Sequence, residues 1–370
     1  MKFSVQREIL LAPLQQVVGA VERKQTSPIL GNVLLKADDG YLTTVATDSE
    51  IEMQARVSLE IEQAGATTVS ARKLLDICRL LPDSGRLDFQ FLGDKVVLKS
   101  GRSRFSLATL PAQDFPELDA LDSPQRLSVP AELLQDCIRS TAFSMAQQDV
   151  RFYLNGMLIE IGSERLTCVA TDGHRLAYSQ CETDVEPEIP VRAIVPRKGI
   201  NELLRLLGTL DNDNAVEMLV TGQRLQIDSD GVQLSTKLVD GRFPDYNRVI
   251  PIDGNKEIVV DCQSLKDCLT RASVLSSEKY RGVRMALSNG LLTISSNNPE
   301  QEEAFDELEV DYTGESTEIG FNVAYLLDVL NTLDCELARL ILKDGDSSAL
   351  ITPVRESGAD SKYVVMPMRL

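Results

Sequence analysis

The chain repeats itself. "VATD" occurs at Val45–Asp48 and again at Val169–Asp172, and Thr47, Thr171 and Ser295 follow one another at a constant interval of 124 residues. A repeat of this kind restricts the fold more than any local propensity, because every copy must build the same supersecondary unit. Three segments recur in the same order. The first is "FSVQREILLAPLQQVVGAV" from Phe3, "LSVPAELLQDCIRSTAFSM" from Leu127 and "IVVDCQSLKDCLTRASVLS" from Ile258, each a β-like triplet running into apolar residues at helical spacing. The second is "PILGNVLLKADDGYLTTVATDSEIEM", "RFYLNGMLIEIGSERLTCVATDGHRLAYS" and "KYRGVRMALSNGLLTISSNNPEQEEA", each two strands around a turn signal, at Asp39-Gly40, Gly162-Ser163 and Asn289-Gly290. The third is "VSARKLLDICRLLP", "IVPRKGINELLRLLG" and "IGFNVAYLLDVLNTL", with Ser70, Pro196 and Asn322 at helix-opening positions.

Each unit therefore reads as strand, helix, strand hairpin, second helix and closing strands. The fold class is α+β: three similar domains, each with two helices and antiparallel sheet, over 1–122, 128–249 and 256–370. Linkers are predicted at Leu118–Ser128 and Val249–Glu257, and helices over 6–24, 70–81, 131–148, 196–207, 261–275 and 322–336. A length of 370 residues, 43% hydrophobic, accommodates three cores of ordinary domain size.

Little in the chain supports catalysis. The opening "MKFSVQREIL" has no signal-peptide run and no window is apolar enough to span a bilayer, which predicts a soluble, unexported protein. Seven scattered cysteines without a C-x-x-C pair predict reduced thiols in the cytosol. The one histidine, His174, follows an Asp172-Gly173 turn, and no G-x-S-x-G elbow, Walker loop, G-x-G-x-x-G or zinc spacing accompanies it. Neither a metal nor a cofactor is expected. His174 reads as part of a pocket wall or as a hydrogen-bonded structural residue, with a hydrolase using it as the remote alternative.

The net charge of −18 argues against bulk attraction to nucleic acid, but the charge is unevenly spread. Arg72, Lys73, Arg79, Arg197, Lys198 and Arg205 concentrate in two equivalent helices, so one surface can face a polyanion while the remainder repels it. "SGRSRFSL" places Arg102 and Arg104 beside Phe105 and Leu107 on what reads as an edge strand. The acidic run with Glu300, Glu302 and Glu303 reads as its electrostatic complement.

"LPAQDFPEL", "VRFYLNGML", "ATDGHRLA", "VPRKG", "LVDGRFPDY", "NNPEQEEA" and "YVVMPMRL", spread over the whole chain, together resemble the bacterial sliding clamps, the beta subunits of DNA polymerase III. The resemblance implies a non-enzymatic homodimer whose six domains close into a ring around duplex DNA, in the cytoplasm at the nucleoid. Twelve helices at about 10 Å each would give a circumference of about 120 Å and an opening of roughly 25 to 30 Å, wide enough for a duplex. Contacts to phosphates without base reading would leave such a ring free to slide.

The resemblance also implies site residues. Lys24, Arg72, Lys73, Gln148, Tyr153, Arg197 and Lys198 match DNA-contacting positions, with Phe152 standing where a tyrosine can occur. A peptide cleft maps to Leu154, Thr171, Gly173, His174, Arg175, Leu176, Pro244, Arg248, Val249, Ser348, Val364, Met366, Pro367, Met368 and Arg369. It would receive short apolar motifs of the polymerase III catalytic subunit, the clamp loader, other polymerases and repair proteins. Ring closure would join Phe105 and Leu107 to Val274 and Leu275, with Lys73, Arg102 and Arg104 facing Glu300, Glu302 and Glu303. A monomeric peptide-binding scaffold with the cleft but no ring is the alternative.

Overall fold

The computed structural model describes residues 1–22, 27–211, 214–276, 281–355 and 358–369. One element order runs through the chain three times, with a short extra strand, β5, in the first pass. The first pass is β1 (Lys2–Gln6), α1 (Arg7–Val17), β2 (Asn32–Asp38), β3 (Tyr41–Thr47), β4 (Ile51–Ser58), β5 (Ile61–Gln63), β6 (Gly65–Ser70), α2 (Ala71–Leu80), β7 (Arg86–Phe91), β8 (Lys95–Ser100) and β9 (Ser103–Leu110). The second is β10 (Gln125–Pro130), α3 (Ala131–Arg139), β11 (Gly156–Gly162), β12 (Arg165–Thr171), β13 (Arg175–Glu182), β14 (Val191–Pro196), α4 (Arg197–Leu207), β15 (Ala215–Val220), β16 (Arg224–Ser229) and β17 (Val232–Lys237). The third is β18 (Lys256–Asp261), α5 (Cys262–Ser273), β19 (Gly282–Ser288), β20 (Leu291–Asn297), β21 (Glu303–Glu309), β22 (Thr317–Asn322), α6 (Val323–Thr332), β23 (Leu337–Leu342), β24 (Ala349–Val354) and β25 (Asp360–Val365).

The helices form where the apolar period is 3.6. In α2, Ala71, Leu74, Leu75 and Cys78 are buried along one face while Arg72, Lys73 and Asp76 are exposed on the other. Asp261 caps α5 by accepting from the Ser264 N–H, and Asn322 caps α6 by accepting from the Ala324 N–H. Ser70 precedes α2 without a side-chain cap bond. Three helices end earlier than their apolar period predicts, α6 among them, which stops at Thr332 instead of residue 336. After α3, the Ser140 and Thr141 hydroxyls donate back to the carbonyls of Asp136 and Cys137 at 2.8 and 2.7 Å, and the chain continues in a short 3-10 turn. After α1 the chain tightens to a 3-10 turn at Val18–Ala20.

The chain forms two compact units, and their boundary falls inside the middle repeat. Unit 1 comprises Met1–Glu132 and Lys198–Leu238 and holds one sheet of thirteen strands, ordered β10-β15-β16-β17-β4-β3-β2-β6-β9-β8-β7-β1-β5. Its two halves join through β17 and β4, from Val232 opposite Ala55 to Thr236 opposite Ile51. Phe3 and Phe89 stack in its core, ring centroids 4.6 Å apart.

Unit 2 comprises Leu133–Arg197 and Val239–Leu370 and holds an eight-stranded sheet, β14-β11-β12-β13-β25-β24-β23-β18, and a four-stranded one, β21-β20-β19-β22. Antiparallel pairing of β13 with β25, Arg175 opposite Val365 and Leu176 opposite Val364, continues the larger sheet. A core of Leu265, Leu269, Ile294, Phe321, Leu326 and Tyr363 fills the space beside these strands.

Two of the strands with an unpaired side among the described residues carry the residues assigned to ring closure or lie beside them. β9 pairs with β8 over Ser103–Ala108 and with β6 only at Thr109 and Leu110, so Ser103–Ala108 is an open edge. β21 pairs only with β20 and is one of the two outer strands of its sheet.

Candidate functional site

The "VATD" repeat is a hydrogen-bonded turn, built twice. Thr171 Oγ1 donates to the carbonyl of Arg175 at 2.6 Å and accepts from the Gly173 N–H, while Asp172 Oδ1 accepts from the N–H groups of His174 and Arg175. In the first copy Thr47 Oγ1 donates to the carbonyl of Ile51 at 2.7 Å and accepts from the Ser49 N–H, while Asp48 Oδ1 accepts from Glu50 and Ile51. The short polar side chains satisfy the backbone groups of the bend, which is why these residue types recur there. Gly173 has φ +89°, and a Cβ on it would lie 2.8 Å from the Arg151 guanidinium, so glycine suits the position twice over.

His174 is exposed at this turn and stacks on Tyr325, ring centroids 6.3 Å apart. Among the described residues its ring has no side-chain hydrogen bond, and no cluster of three metal-ligating side chains occurs. Arg175 is enclosed. Its side chain is 11% exposed, donates to Asp172, Asp328 and the Phe143 carbonyl, and lies over the Tyr325 and Phe143 rings at 4.6 and 5.2 Å.

All the residues assigned to the peptide cleft belong to unit 2. There the structure brings together an apolar group of Leu158, Val169, Leu176, Tyr178, Ile194, Phe243, Leu350 and Val364, against which Tyr153, Val239, Tyr246, Val249, Ile250 and Ile341 pack half-buried. Leu154, Thr171, Leu176 and Val364 are buried and present little surface, and Leu176 and Val364 belong to the group itself. Pro244, Val249, Ser348, Pro367 and Met368 are half-buried, and Arg248, Met366 and Arg369 are exposed. Tyr178, Phe243 and Tyr246 were not singled out by sequence, although Phe243 and Tyr246 lie within "LVDGRFPDY" and Tyr178 closes "TDGHRLAY". Tyr246 donates to Glu160 at 2.7 Å, and burial, with the Glu160 bond second, pushes its phenol well up.

The C-terminal tail leaves β25 after Val365 and is tethered rather than loose. The Met366 N–H donates to the His174 carbonyl at 2.9 Å and the Met368 N–H to the Gly320 carbonyl at 2.8 Å. Pro367, lacking an N–H, sits between these two donors. Leu370, the last residue of "YVVMPMRL", lies outside the described residues.

The candidate DNA-contacting residues have diverse surroundings. Arg72 and Lys73 are exposed on α2, and Lys24 lies outside the described residues. Gln148, exposed with φ +56°, begins a loop pinned by paired bonds between Asp149 and Asn155 and by the Asp149–Arg151 ion pair. The Arg151 guanidinium beside Asp149 holds its carboxyl down at about 2. That loop exposes Val150 and Phe152, while Tyr153 turns toward the apolar group. Arg197 donates to the Met145 carbonyl at 2.7 Å, and burial, reinforced by the Arg175 charge, lowers its pKa. Lys198 pairs with Asp48 and donates to the Ala20 carbonyl, and Arg205 is similarly occupied by Glu202 and the carbonyls of Gln15 and Gln16.

At the open edges, Phe105 is half-buried and Leu107 is turned into its own unit. Arg102 and Arg104 are exposed beside them. In unit 2, Val274 is 76% exposed, Leu275 half-buried, and Glu300, Glu302 and Glu303 exposed. Phe305, 67% exposed on β21, was missed by sequence because alternation with acidic neighbours does not reveal which face of an edge strand is covered.

The thrice-repeated α+β scaffold, with an apolar group left partly accessible in unit 2, defines a repeat-built binding protein. Family models agree. Those for the N-terminal, central and C-terminal domains of the DNA polymerase III beta subunit match residues 1–119, 128–245 and 247–369. The beta sliding clamp of Proteus mirabilis is 50% identical and that of Escherichia coli K12 is 49% identical, each over the full length of both chains. The crystal structure of the Pseudomonas aeruginosa DNA polymerase III beta subunit, 48% identical, superposes with a TM-score of 0.95, and the Caulobacter crescentus DNA polymerase sliding clamp, 37% identical, with 0.92, both covering all of each chain. This chain belongs to the DNA polymerase III beta subunit family, the beta sliding clamps. It is a non-catalytic processivity subunit that works with DNA and DNA polymerase.

Proposed function

We propose that two copies of this chain, each with domains at 1–122, 128–249 and 256–370, close into a ring around duplex DNA and use the apolar group of unit 2 to hold partner proteins. The observation that carries the partner site is that group itself: Val249 and Tyr246 remain partly accessible over a buried floor of Leu176 and Val364, and Met366, two residues beyond Val364, is exposed. A short apolar peptide can place a few side chains there, each worth about 1.5 to 3 kcal/mol before ordering costs. An isolated motif would then bind at about micromolar strength, and engagement of both clefts of a dimer would strengthen it. The polymerase III catalytic subunit, the clamp loader, other polymerases and repair proteins are the partners this reading assigns.

For closure, the open side of β9, with Arg102, Arg104, Phe105 and Leu107 and with Lys73 on α2, offers positive charge and unpaired backbone. The β21 side, with Val274, Leu275, Glu300, Glu302 and Glu303, offers the opposite charge. A head-to-tail contact of this type must close or polymerise. Arg72, Lys73, Gln148, Tyr153, Arg197 and Lys198, with Lys24, would meet phosphates without reading bases. The protein would act in the cytoplasm at the nucleoid.

The test is topological. Loaded by a clamp loader onto nicked circular duplex, the protein should stay bound through gel filtration and leave once the circle is cut. Retention on the linear product would end the ring reading, and a monomer in sedimentation at working concentration would favour a scaffold without a ring.

A further inference from the structure

We infer that Cys137 and Cys181 form a reversible oxidation site, closing to a disulfide when a hydroperoxide enters the cavity beside them. Cys137 lies on the buried side of α3 and Cys181 on β13, 0% and 7% exposed, and both are free thiols. Their Sγ atoms are 3.0 Å apart, so a bond near 2.05 Å needs an approach of only about 1 Å. A cavity of about 590 Å³ reaches Cys181, bordered by Arg139, Gln180, Arg355, Ser361 and Tyr363. Cys137 does not border it, which makes Cys181 the sulfur that meets the oxidant first.

The resting state is the dithiol. Hydrogen bonding with Cys168 raises the Cys137 thiol's pKa, and the bond with Cys137 together with burial raises that of Cys181. Both are therefore protonated at neutral pH, and oxidation is slow. Arg355, whose guanidinium donates to Ser361, partly offsets this at Cys181 by favouring the thiolate.

In the first step Cys181 gives its proton to cavity water and Sγ attacks one peroxide oxygen. The O–O bond breaks, the leaving oxygen takes up a proton, and Cys181 becomes a sulfenic acid. In the second, Cys137 Sγ attacks that sulfur, the S–O bond breaks, and the hydroxyl departs with the Cys137 proton as water. One hydroperoxide is reduced and two thiols are oxidised, with water and an alcohol, or two waters from hydrogen peroxide, as products. The bond would tie α3 to the strand that begins at Arg175 and Leu176.

The full-length protein, fully reduced, is exposed to hydrogen peroxide, alkylated after denaturation and mapped by mass spectrometry of its peptides. The expected product is a Cys137–Cys181 cross-link, lighter by two hydrogens and reversed by dithiothreitol, that persists in Cys168→Ser and is lost in Cys181→Ser. The inference is overturned if Cys137 and Cys181 both alkylate fully at a peroxide dose that modifies Cys335. It is equally overturned if Cys181 proceeds to sulfinic acid without a cross-link, or if the cross-link joins another pair. The wild-type map decides this even if a variant does not fold.

Discussion

The Arg175 guanidinium bonds the Asp328 carboxylate at 2.5 Å, tying the first residue of β13 to α6. The same guanidinium holds Asp172 within the turn and the Phe143 carbonyl beyond α3, so one side chain locks three separate segments of unit 2. Arg175→Ala should lower the free energy of unfolding by about 2 kcal/mol, since it orphans an acceptor and a partly covered carboxylate. Arg175→Lys should recover only part of the loss because a single ammonium cannot span three acceptors. Urea denaturation measures both.

Exposed and buried members of the candidate cleft should separate cleanly. Met366→Ala should weaken a partner peptide about tenfold, about 1.4 kcal/mol, and leave the melting temperature unchanged. Leu176→Ala, in the buried floor, should cost about 2 to 5 kcal/mol of stability. Peptide titration beside a thermal melt distinguishes these outcomes; equal affinity for wild type and Met366→Ala would move the cleft elsewhere.

Exposed apolar side chains at the proposed closure should control assembly. Val274→Ala combined with Leu275→Ala, or Phe305→Asp alone, should convert dimer to monomer in sedimentation with no loss of helix content. The Phe305 change removes a large exposed ring and adds a like charge to an acidic strand.

Salt dependence should distinguish the candidate cations. Replacing exposed Arg72 and Lys73 by Ala should reduce the slope of log affinity for a short duplex against log salt by about 1.8, with no change of sequence preference. Arg197→Ala should lower the slope as well and, unlike the α2 pair, also cost about 1 kcal/mol of stability, because that guanidinium also bonds the Met145 carbonyl.

Glu52 supplies a pH test. It is buried on β4, its carboxylate accepts the Leu118 N–H, and burial raises its pKa above the ordinary carboxylate value. A raised folded-state pKa means the native protein binds the proton more tightly than the unfolded chain, so this contribution is present at low pH and lost as pH rises through the folded value. Glu52→Gln keeps an acceptor without the charge. It should melt higher than wild type at neutral pH, with the gap closing below about pH 4.

Local features were legible because contiguous residues encode them. The 124-residue interval and the apolar periods of "ARKLLDICRLL" and "RKGINELLRLL" located the six α-helices of the described residues, the order of elements and the places of the Asp-Gly bends. The overrun of α3 arose because Cys137, Ile138 and Thr141 continue a helical period that the back-bonding hydroxyls of Ser140 and Thr141 interrupt. Side-chain competition for backbone carbonyls leaves no trace in an apolar pattern.

What only the tertiary structure decided is which distant segments meet. The pairing of β17 with β4 and of β13 with β25 assigns the middle repeat's strands to two different units, and no period within the repeat specifies it. The burial of Leu176 and Val364, the enclosure of Arg175 by Asp328, the pairing of Lys198 with Asp48 and the approach of Cys137 to Cys181 across 44 positions are likewise contacts between segments distant in the chain. Strand register depends on side chains and backbone groups supplied by both partners at once. A single stretch of sequence carries only one half of that information.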